Sequence, residues 1–483
     1  MNARIVKLFA FIGVLFAVLV GFTSYWTVFD ANNLKNERVN KRPLFEAQQV
    51  KRGRILASDG TVIAKSVAKG SGPSLRYVRR YPEGSTYGHP IGYSSIEYGN
   101  SEFEAYHNSE LIGDENEFSS IIDELRGKKP AGNDVYTSID PTAQQAAFDL
   151  LGGQPGAVVA MVPSTGAIKA MVSVPPFDPN DIASDYSALS NDDTKPMVNR
   201  ATQGQYPPGS TFKLVTAAAA LNSGAITPDD TINSPGSIQV QGRPLKNDYD
   251  QDFGDINVTT ALTNSVNTYF AQLGEKIGTG TLEDYMNKFG FNSKPQLDLP
   301  DGQMSTSGVF DLASGGTLLT GSDAIDVGRL AIGQERLLAT PIQMAEVAST
   351  IANGGKLMRP QIWSEVRDPD GRKIKTMNPS VQSNVISEET ASELTDAMKD
   401  VVNEGTGTAA ALSGVDVAGK TGTAEVPDKE ECNGLPNQAW FVGFAPADDP
   451  QIAVAATVEC TDGMGGTVAA PIAAGVMETL LGE

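Results

Sequence analysis

The chain has 483 residues, 40% of them hydrophobic and 20% charged, the composition of a globular protein too long for one ordinary core. A formal net charge of −21 argues against a surface built for nucleic acid or anionic lipid. The two histidines, His89 and His107, and the two cysteines, Cys432 and Cys460, give no Cys-x-x-Cys pair and too few ligands for a structural zinc site.

Leu8 to Phe29 carries no charge and is rich in Phe, Leu, Val and Ile. At helical rise it covers roughly the ~30 Å of a bilayer core, which predicts one uncleaved transmembrane anchor behind a short cytoplasmic tail, residues 1–7. Tyr25 and Trp26 suit a membrane interface. Basic residues lie on both sides, Arg4 and Lys7 before and Lys35, Arg38, Lys41 and Arg42 after, so charge alone leaves the orientation open. Residues 30–133 mix short apolar patches with Gly, Ser, Pro and charge, and predict a small, mainly-β, non-catalytic domain with a turn at Asp59-Gly60. Ser66 and Lys69 stand three apart there, with nothing around them to suggest chemistry.

The boundary is drawn within Gly127 to Asn133, and residues 134–483 form the second unit. Val135 to Ile139 predicts a strand, Pro141 to Leu151 a helix, and Gly156–Val162 with Ala167–Ser173 a hairpin. Pro207-Pro208-Gly209 stops the preceding chain, and Ser210 opens an Ala-rich helix running to Leu221. Residues three apart share a helix face, which brings the Lys213 amine within reach of the Ser210 hydroxyl as a nucleophile and base pair. A Ser capping a helix with a Lys one turn on is equally what a plain helix start offers. A histidine base would have to come from the other unit, so lysine is the better candidate.

Thr259 to Ile277 predicts a helix interrupted near Asn264-Ser265-Val266-Asn267, and Thr340 to Asn353 another. Val417–Val426, Ala439–Phe444 and Ile452–Glu459 predict strands, and Pro471 to Leu481 a last helix. Strands at both ends with helices between them imply an α+β arrangement, an antiparallel sheet covered by helices.

Three motifs then occur in order: Ser210-Thr211-Phe212-Lys213, Ser265-Val266-Asn267 and Lys420-Thr421-Gly422-Thr423. Together they resemble the penicillin-binding transpeptidases and serine β-lactamases, with their Ser-x-x-Lys, Ser-x-Asn and Lys-Thr-Gly motifs. The flanks are similar to class B, monofunctional penicillin-binding proteins, most like actinobacterial A-type members: Arg52-Gly53-Arg54-Ile55, Pro175-Pro176-Phe177-Asp178-Pro179-Asn180, Thr340-Pro341-Ile342-Gln343 and Ala439-Trp440-Phe441-Val442-Gly443-Phe444. The resemblance implies Ser210 as the nucleophile on a D-Ala-D-Ala stem peptide and an uncharged Lys213 as its base. It implies Ser265 as a proton relay and Asn267 as a ligand of the peptide backbone. Lys420 would add positive charge beside Ser265, and Thr421 and Thr423 would bind the substrate carboxylate. Gly422 would let a peptide lie close along the strand, and the N–H groups of Ser210 and Thr423 would form the oxyanion hole.

Implied partners are stem peptides (donor and amine acceptor), penicillin and other β-lactams, and a membrane-embedded glycan polymerase; no cofactor, metal or nucleic acid is implied. The catalytic domain would then be extracytoplasmic. If the last strands form a hairpin, Cys432 and Cys460 return toward each other, and a disulfide is expected outside the cell. The class A β-lactamase signature Glu-x-x-Leu-Asn is absent, with Ala218 standing where its Glu would precede Leu221-Asn222, so slow hydrolysis of a β-lactam is expected. A D,D-carboxypeptidase or β-lactamase-like hydrolase, or a non-catalytic β-lactam sensor or scaffold, stays open as an alternative. The spacing from Glu102-Phe103-Glu104 to Leu111-Ile112-Gly113 departs from the family pattern, which puts that segment's packing role in question.

Overall fold

The computed structural model describes residues 2–26, 50–71, 74–113, 131–311, 316–321, 325–425, 432 and 434–482. The N-terminal apolar run is one helix, α1 (Asn2–Ser24), and its segment Arg4–Ser24 is long and apolar enough to cross a membrane. It starts before Leu8 because Ile5 and Val6 extend the apolar run and Arg4 and Lys7 are good helix formers. Residues 27–29 of the expected span lie outside the described residues.

Along the rest of the chain, β1 (Ile55–Leu56), β2 (Val62–Lys69) and β3 (Arg76–Arg80) precede a set of short helices between Gly84 and Ile112, and then β4 (Asp134–Thr137). Next come α2 (Pro141–Leu151), β5 (Gly156–Met161), β6 (Ile168–Val174), α3 (Lys213–Asn222), α4 (Val258–Thr263), α5 (Asn267–Lys288) and α6 (Pro341–Ala352). The chain continues through β7 (Trp363–Arg367), β8 (Lys373–Thr376), α7 (Glu388–Asn403), β9 (Ala418–Glu425), β10 (Asn437–Ala445), β11 (Ile452–Thr461) and α8 (Ala469–Leu481).

The central five-stranded sheet has the order β9-β10-β11-β5-β6, antiparallel throughout, with β9 at an edge. Alternate residues of β5 feed two different cores. Val158 and Ala160 pack with Ala143 of α2 and Ile472 of α8, whereas Val159 and Met161 join Phe212, Val215, Met344 and Val347 on the other side. A strand covered on both faces must be apolar throughout, which is why Gly156–Met161 reads as an unbroken apolar run.

A six-stranded sheet, β8-β7-β4-β1-β2-β3, draws strands from both sides of the boundary read near Asn133. One core runs from Ile55 and Phe103 to Ala455. The short helices Glu102–Tyr106 and Asn108–Ile112 were not foreseen, since five residues hold too little of a 3.6-residue period to read. Their departure from the family spacing leaves a clear packing role: fully buried Glu104 forms ion pairs with Arg52 Nε and Arg79 Nε. Ser66 and Lys69 lie in β2, where alternation puts residues three apart on opposite faces, and Ser66 Oγ donates to the Arg52 carbonyl at 2.9 Å. Both histidines are structural. His89 Nε2 meets the Pro196 carbonyl at 2.9 Å, and His107 Nε2 meets Asp298 Oδ2 at 3.3 Å.

Glu346 on α6 is 1% exposed, and its Oε1 has no hydrogen-bond partner. Burial alone pushes its carboxyl up from 4.5 to about 8. Between those values the unfolded chain gives up this proton and the folded chain keeps it, so stability falls as pH rises. Glu346→Gln is therefore expected to stabilise the protein by about 3 kcal/mol at pH 7, with the gain vanishing toward the ordinary carboxyl pKa. Urea unfolding at both pH values checks this; the same gain at both would contradict it.

Candidate active site

Gly209, with φ +52°, begins a 3-10 turn, Gly209–Phe212, that runs directly into α3 and holds Ser210, half-buried, in its first half. The turn is clamped from behind. Trp440 Nε1 donates to the Pro207 carbonyl at 3.0 Å, and Tyr206 pairs with the Ala339 backbone at 3.0 and 2.8 Å. The Tyr206 hydroxyl donates to Glu459 Oε1, which also accepts from Arg200 Nε at 2.9 Å. Arg200 and Glu459 were missed in the sequence: no motif marks them, and their partners lie more than half the chain away. Beside Glu459, Cys460 is bridged to Cys432 with a Cα separation of 5.0 Å.

From Lys213 to Leu221, α3 is buried on every side, its small residues Ala217–Ala220 letting neighbouring elements approach. The Lys213 amine is fully enclosed. Its Nζ donates to the Ser265 carbonyl at 2.7 Å and Asn267 Oδ1 at 2.7 Å, lies 3.2 Å from Ser265 Oγ, and sits 5.6 Å from the centre of the Phe270 ring. Loss of hydration drives its pKa well below the ordinary lysine value; the Lys420 charge adds to this and Asp248 opposes it. The Ser210 hydroxyl itself makes no hydrogen bond among the described residues. The two fixed oxygens at 2.7 Å hold the amine more firmly than a rotatable hydroxyl can.

Ser265 lies in the break between α4 and α5 with φ +56°, a left-handed conformation costly for a non-glycine residue. That turn points both its carbonyl and its hydroxyl at Lys213. Lys420, fully buried on β9, donates to the Thr421 carbonyl at 3.1 Å, and burial lowers its pKa to about 7 against the raising effect of Asp248. On the other face of β9, Thr421 Oγ1 lies 2.5 Å from Thr406 Oγ1, and Thr423 Oγ1 accepts from Gly465 N at 3.0 Å.

The turn and β9 meet backbone to backbone. A Cβ at Gly422 would lie 2.8 Å from the Pro208 carbonyl oxygen and 2.9 Å from Thr211 Cγ2, and one at Gly209 would lie 3.0 Å from the Thr423 carbonyl. Glycine at 422 is thus demanded by the turn that carries Ser210, a constraint that the sequence reading had placed in a bound peptide. Ser210, Lys213, Ser265, Asn267 and Lys420–Thr423, far apart in sequence, converge on one edge of the central sheet.

This geometry is that of a serine acyl-transferase built on a helical domain packed against an antiparallel sheet. The penicillin binding protein transpeptidase domain matches residues 156–478, and the penicillin binding protein A dimerisation domain matches residues 52–135. The chain belongs to the class B penicillin-binding protein transpeptidase family. Peptidoglycan D,D-transpeptidase PbpA of Mycolicibacterium smegmatis is 35% identical over 509 residues, covering 100% of each chain. Its counterpart of Mycobacterium tuberculosis is 34% identical over 510 residues, covering 100% of this chain and 99% of its own. The imipenem acyl-enzyme of M. tuberculosis penicillin-binding protein A superposes with a TM-score of 0.80 at 34% identity, covering 90% of this chain and 100% of that one. The penicillin G acyl-enzyme gives 0.79 at 34% identity, covering 89% and 100%.

Gly422→Ala would force the Pro208 carbonyl and the Ser210 turn to move. It is expected to cost about 1–3 kcal/mol of stability and to slow acylation by penicillin roughly tenfold or more. Chemical denaturation and acylation kinetics test this; wild-type rates in a stable variant would contradict it.

Proposed function

We propose that the chain is a peptidoglycan D,D-transpeptidase that joins stem peptides through an acyl-enzyme on Ser210 and is acylated there by β-lactams. The observation that carries this is the enclosed Lys213 amine, one turn after Ser210 and bonded to both ends of the Ser265–Asn267 motif. A neutral amine has two N–H bonds and one lone pair. The Ser265 carbonyl and Asn267 Oδ1 take the two N–H bonds, which leaves the lone pair to receive a hydroxyl proton.

In this reading Ser210 Oγ attacks the carbonyl of the penultimate D-Ala while Lys213 takes its proton. The oxyanion meets the N–H groups of Ser210 and Thr423, each such donor being worth about 3 kcal/mol. Ser265, with Lys420 beside it, passes a proton to the departing terminal D-Ala, and Asn267 and Gly422 align the peptide along the β9 edge. Thr423 Oγ1 accepts from Gly465 N, so its hydrogen is free to donate, with Thr421, to the substrate carboxylate. An amine from a second stem then attacks the ester. A β-lactam follows the first half of this path.

Residues 30–133 are read as the non-catalytic pedestal and 134–483 as the catalytic domain. The α1 helix fits a single-pass anchor, and stem peptides outside the membrane require the catalytic domain there too. Glycan strands would come from a membrane-embedded polymerase meeting α1 and the pedestal.

Ser210→Ala should abolish labelling by fluorescent penicillin. If charged Lys420 assists the relay, acylation falls as pH rises through about 7, because the amine loses its proton there. Lys420→Arg stays charged and should flatten that limb. Wild-type acylation that stays constant across this range would contradict the role of Lys420.

A further inference from the structure

Asn267 has a second attachment besides Lys213. Its Nδ2 donates to the Lys246 carbonyl at 3.0 Å, and the next residue of that segment, Asn247, is buried. Asn247 Nδ2 donates to the carbonyls of Pro235 at 3.1 Å and Gln251 at 2.9 Å and to Thr268 Oγ1 at 3.0 Å, while Asn247 Oδ1 accepts from Thr268 N at 2.9 Å. The backbone at 246–247 is thereby fixed to the first turn of α5. Beyond it the chain turns out into solvent through Asp248–Asp250. Tyr249 is 94% exposed, and Tyr249 and Asp250 both have positive φ, 57° and 53°. Such strain costs on the order of 1 kcal/mol or more per residue and gathers at functional sites.

The acids of this lip are not equivalent. Asp250 pairs with Lys246 at 3.0 Å, Asp252 Oδ1 accepts from Gly254 N at 2.9 Å, and Asp255 Oδ1 accepts from Asn233 Nδ2 at 3.0 Å. Asp248 is exposed, and its carboxylate makes no hydrogen bond or ion pair among the described residues. Its charge nonetheless reaches both Lys213 and Lys420. An unpartnered carboxylate thus follows directly on Asn247, which is bonded to Thr268, and on the Lys246 carbonyl that holds Asn267, itself a partner of Lys213.

Resting on the transpeptidase reading, we propose that Asp248 binds the ammonium group of the acceptor stem peptide and so delivers its amine to the acyl-enzyme. An alkyl amine arrives as a cation at neutral pH, and the proposed donor site consists of Ser, Asn, Thr, Gly and Lys residues without one anion. Asp248 supplies the missing charge. The bound ammonium releases one proton to water, and the amine attacks the ester carbonyl. The C–N bond forms, the C–Oγ bond to Ser210 breaks, and the second amine proton ends on Ser210 Oγ.

The test separates the half-reactions in the full chain. Asp248→Asn should leave acylation by fluorescent penicillin within about threefold of wild type and weaken transfer to an amine-bearing stem tripeptide about tenfold or more, through the acceptor KM. Transfer to hydroxylamine, uncharged at neutral pH, should be unaffected, and Asp248→Glu should restore most of the peptide transfer. An unchanged acceptor KM, or an equal loss with hydroxylamine, would overturn the proposal. Wild-type protein that is acylated but transfers to no amine would instead sink the transpeptidase reading, and the proposal with it.

Discussion

The amine of Lys213, shut away from water, is the constraint around which the catalytic domain is arranged. A lysine is ordinarily a cation and a poor base, and here removal from solvent, the largest cause, favours the neutral form, with the Lys420 charge adding to it. That removal needs a helix buried on every side, and α3 meets the need with alanines and apolar residues where a surface helix would carry charge. The enclosed amine must still be hydrogen-bonded, since an unpaired buried polar group is costly. The break between α4 and α5 provides two oxygens at 2.7 Å, and the strained backbone of Ser265 aims one of them.

Around this point the contacts are backbone against backbone. Gly209 N donates to the Gly333 carbonyl at 3.1 Å, and a Cβ on Gly333 would lie 1.9 Å from the Gly209 carbonyl oxygen. Gly422 presses on Pro208 from the sheet side. Trp440, Tyr206, Glu459 and Arg200 brace the same turn from the core of the sheet. Ser210, the proposed nucleophile, is therefore positioned by rigid elements, the condition under which a short reaction distance can be kept.

Much of this was legible in the sequence for physical reasons. The alanine run announced α3, unbroken apolar runs announced the doubly covered strands, and Asn264–Asn267 was read as a break where the structure has a left-handed serine. The order of three short motifs carried the site. What stayed hidden depends on partners distant along the chain: Arg200 with Glu459 is a pair 259 residues apart, and nothing local marks either residue. Glu104 is similar, since its two arginines come from separate segments of the small domain, Arg52 from just before β1 and Arg79 from β3. Asp248 looked like one acid among many, and only the hydrogen bonds made by its neighbours set it apart. The pairing Ser66–Lys69 shows the converse, a spacing that carries chemistry on a helix and none on a strand.

The most direct measurement is the titration of Lys213 itself, followed by NMR of lysines labelled at Cε, with Lys213→Arg to assign its resonance. A neutral enclosed amine predicts a resonance that titrates well below the ordinary lysine range and moves further when Asp248 is neutralised. A Lys213 resonance titrating with the surface lysines would mean a charged amine at neutral pH, and would contradict its role as the base that activates Ser210.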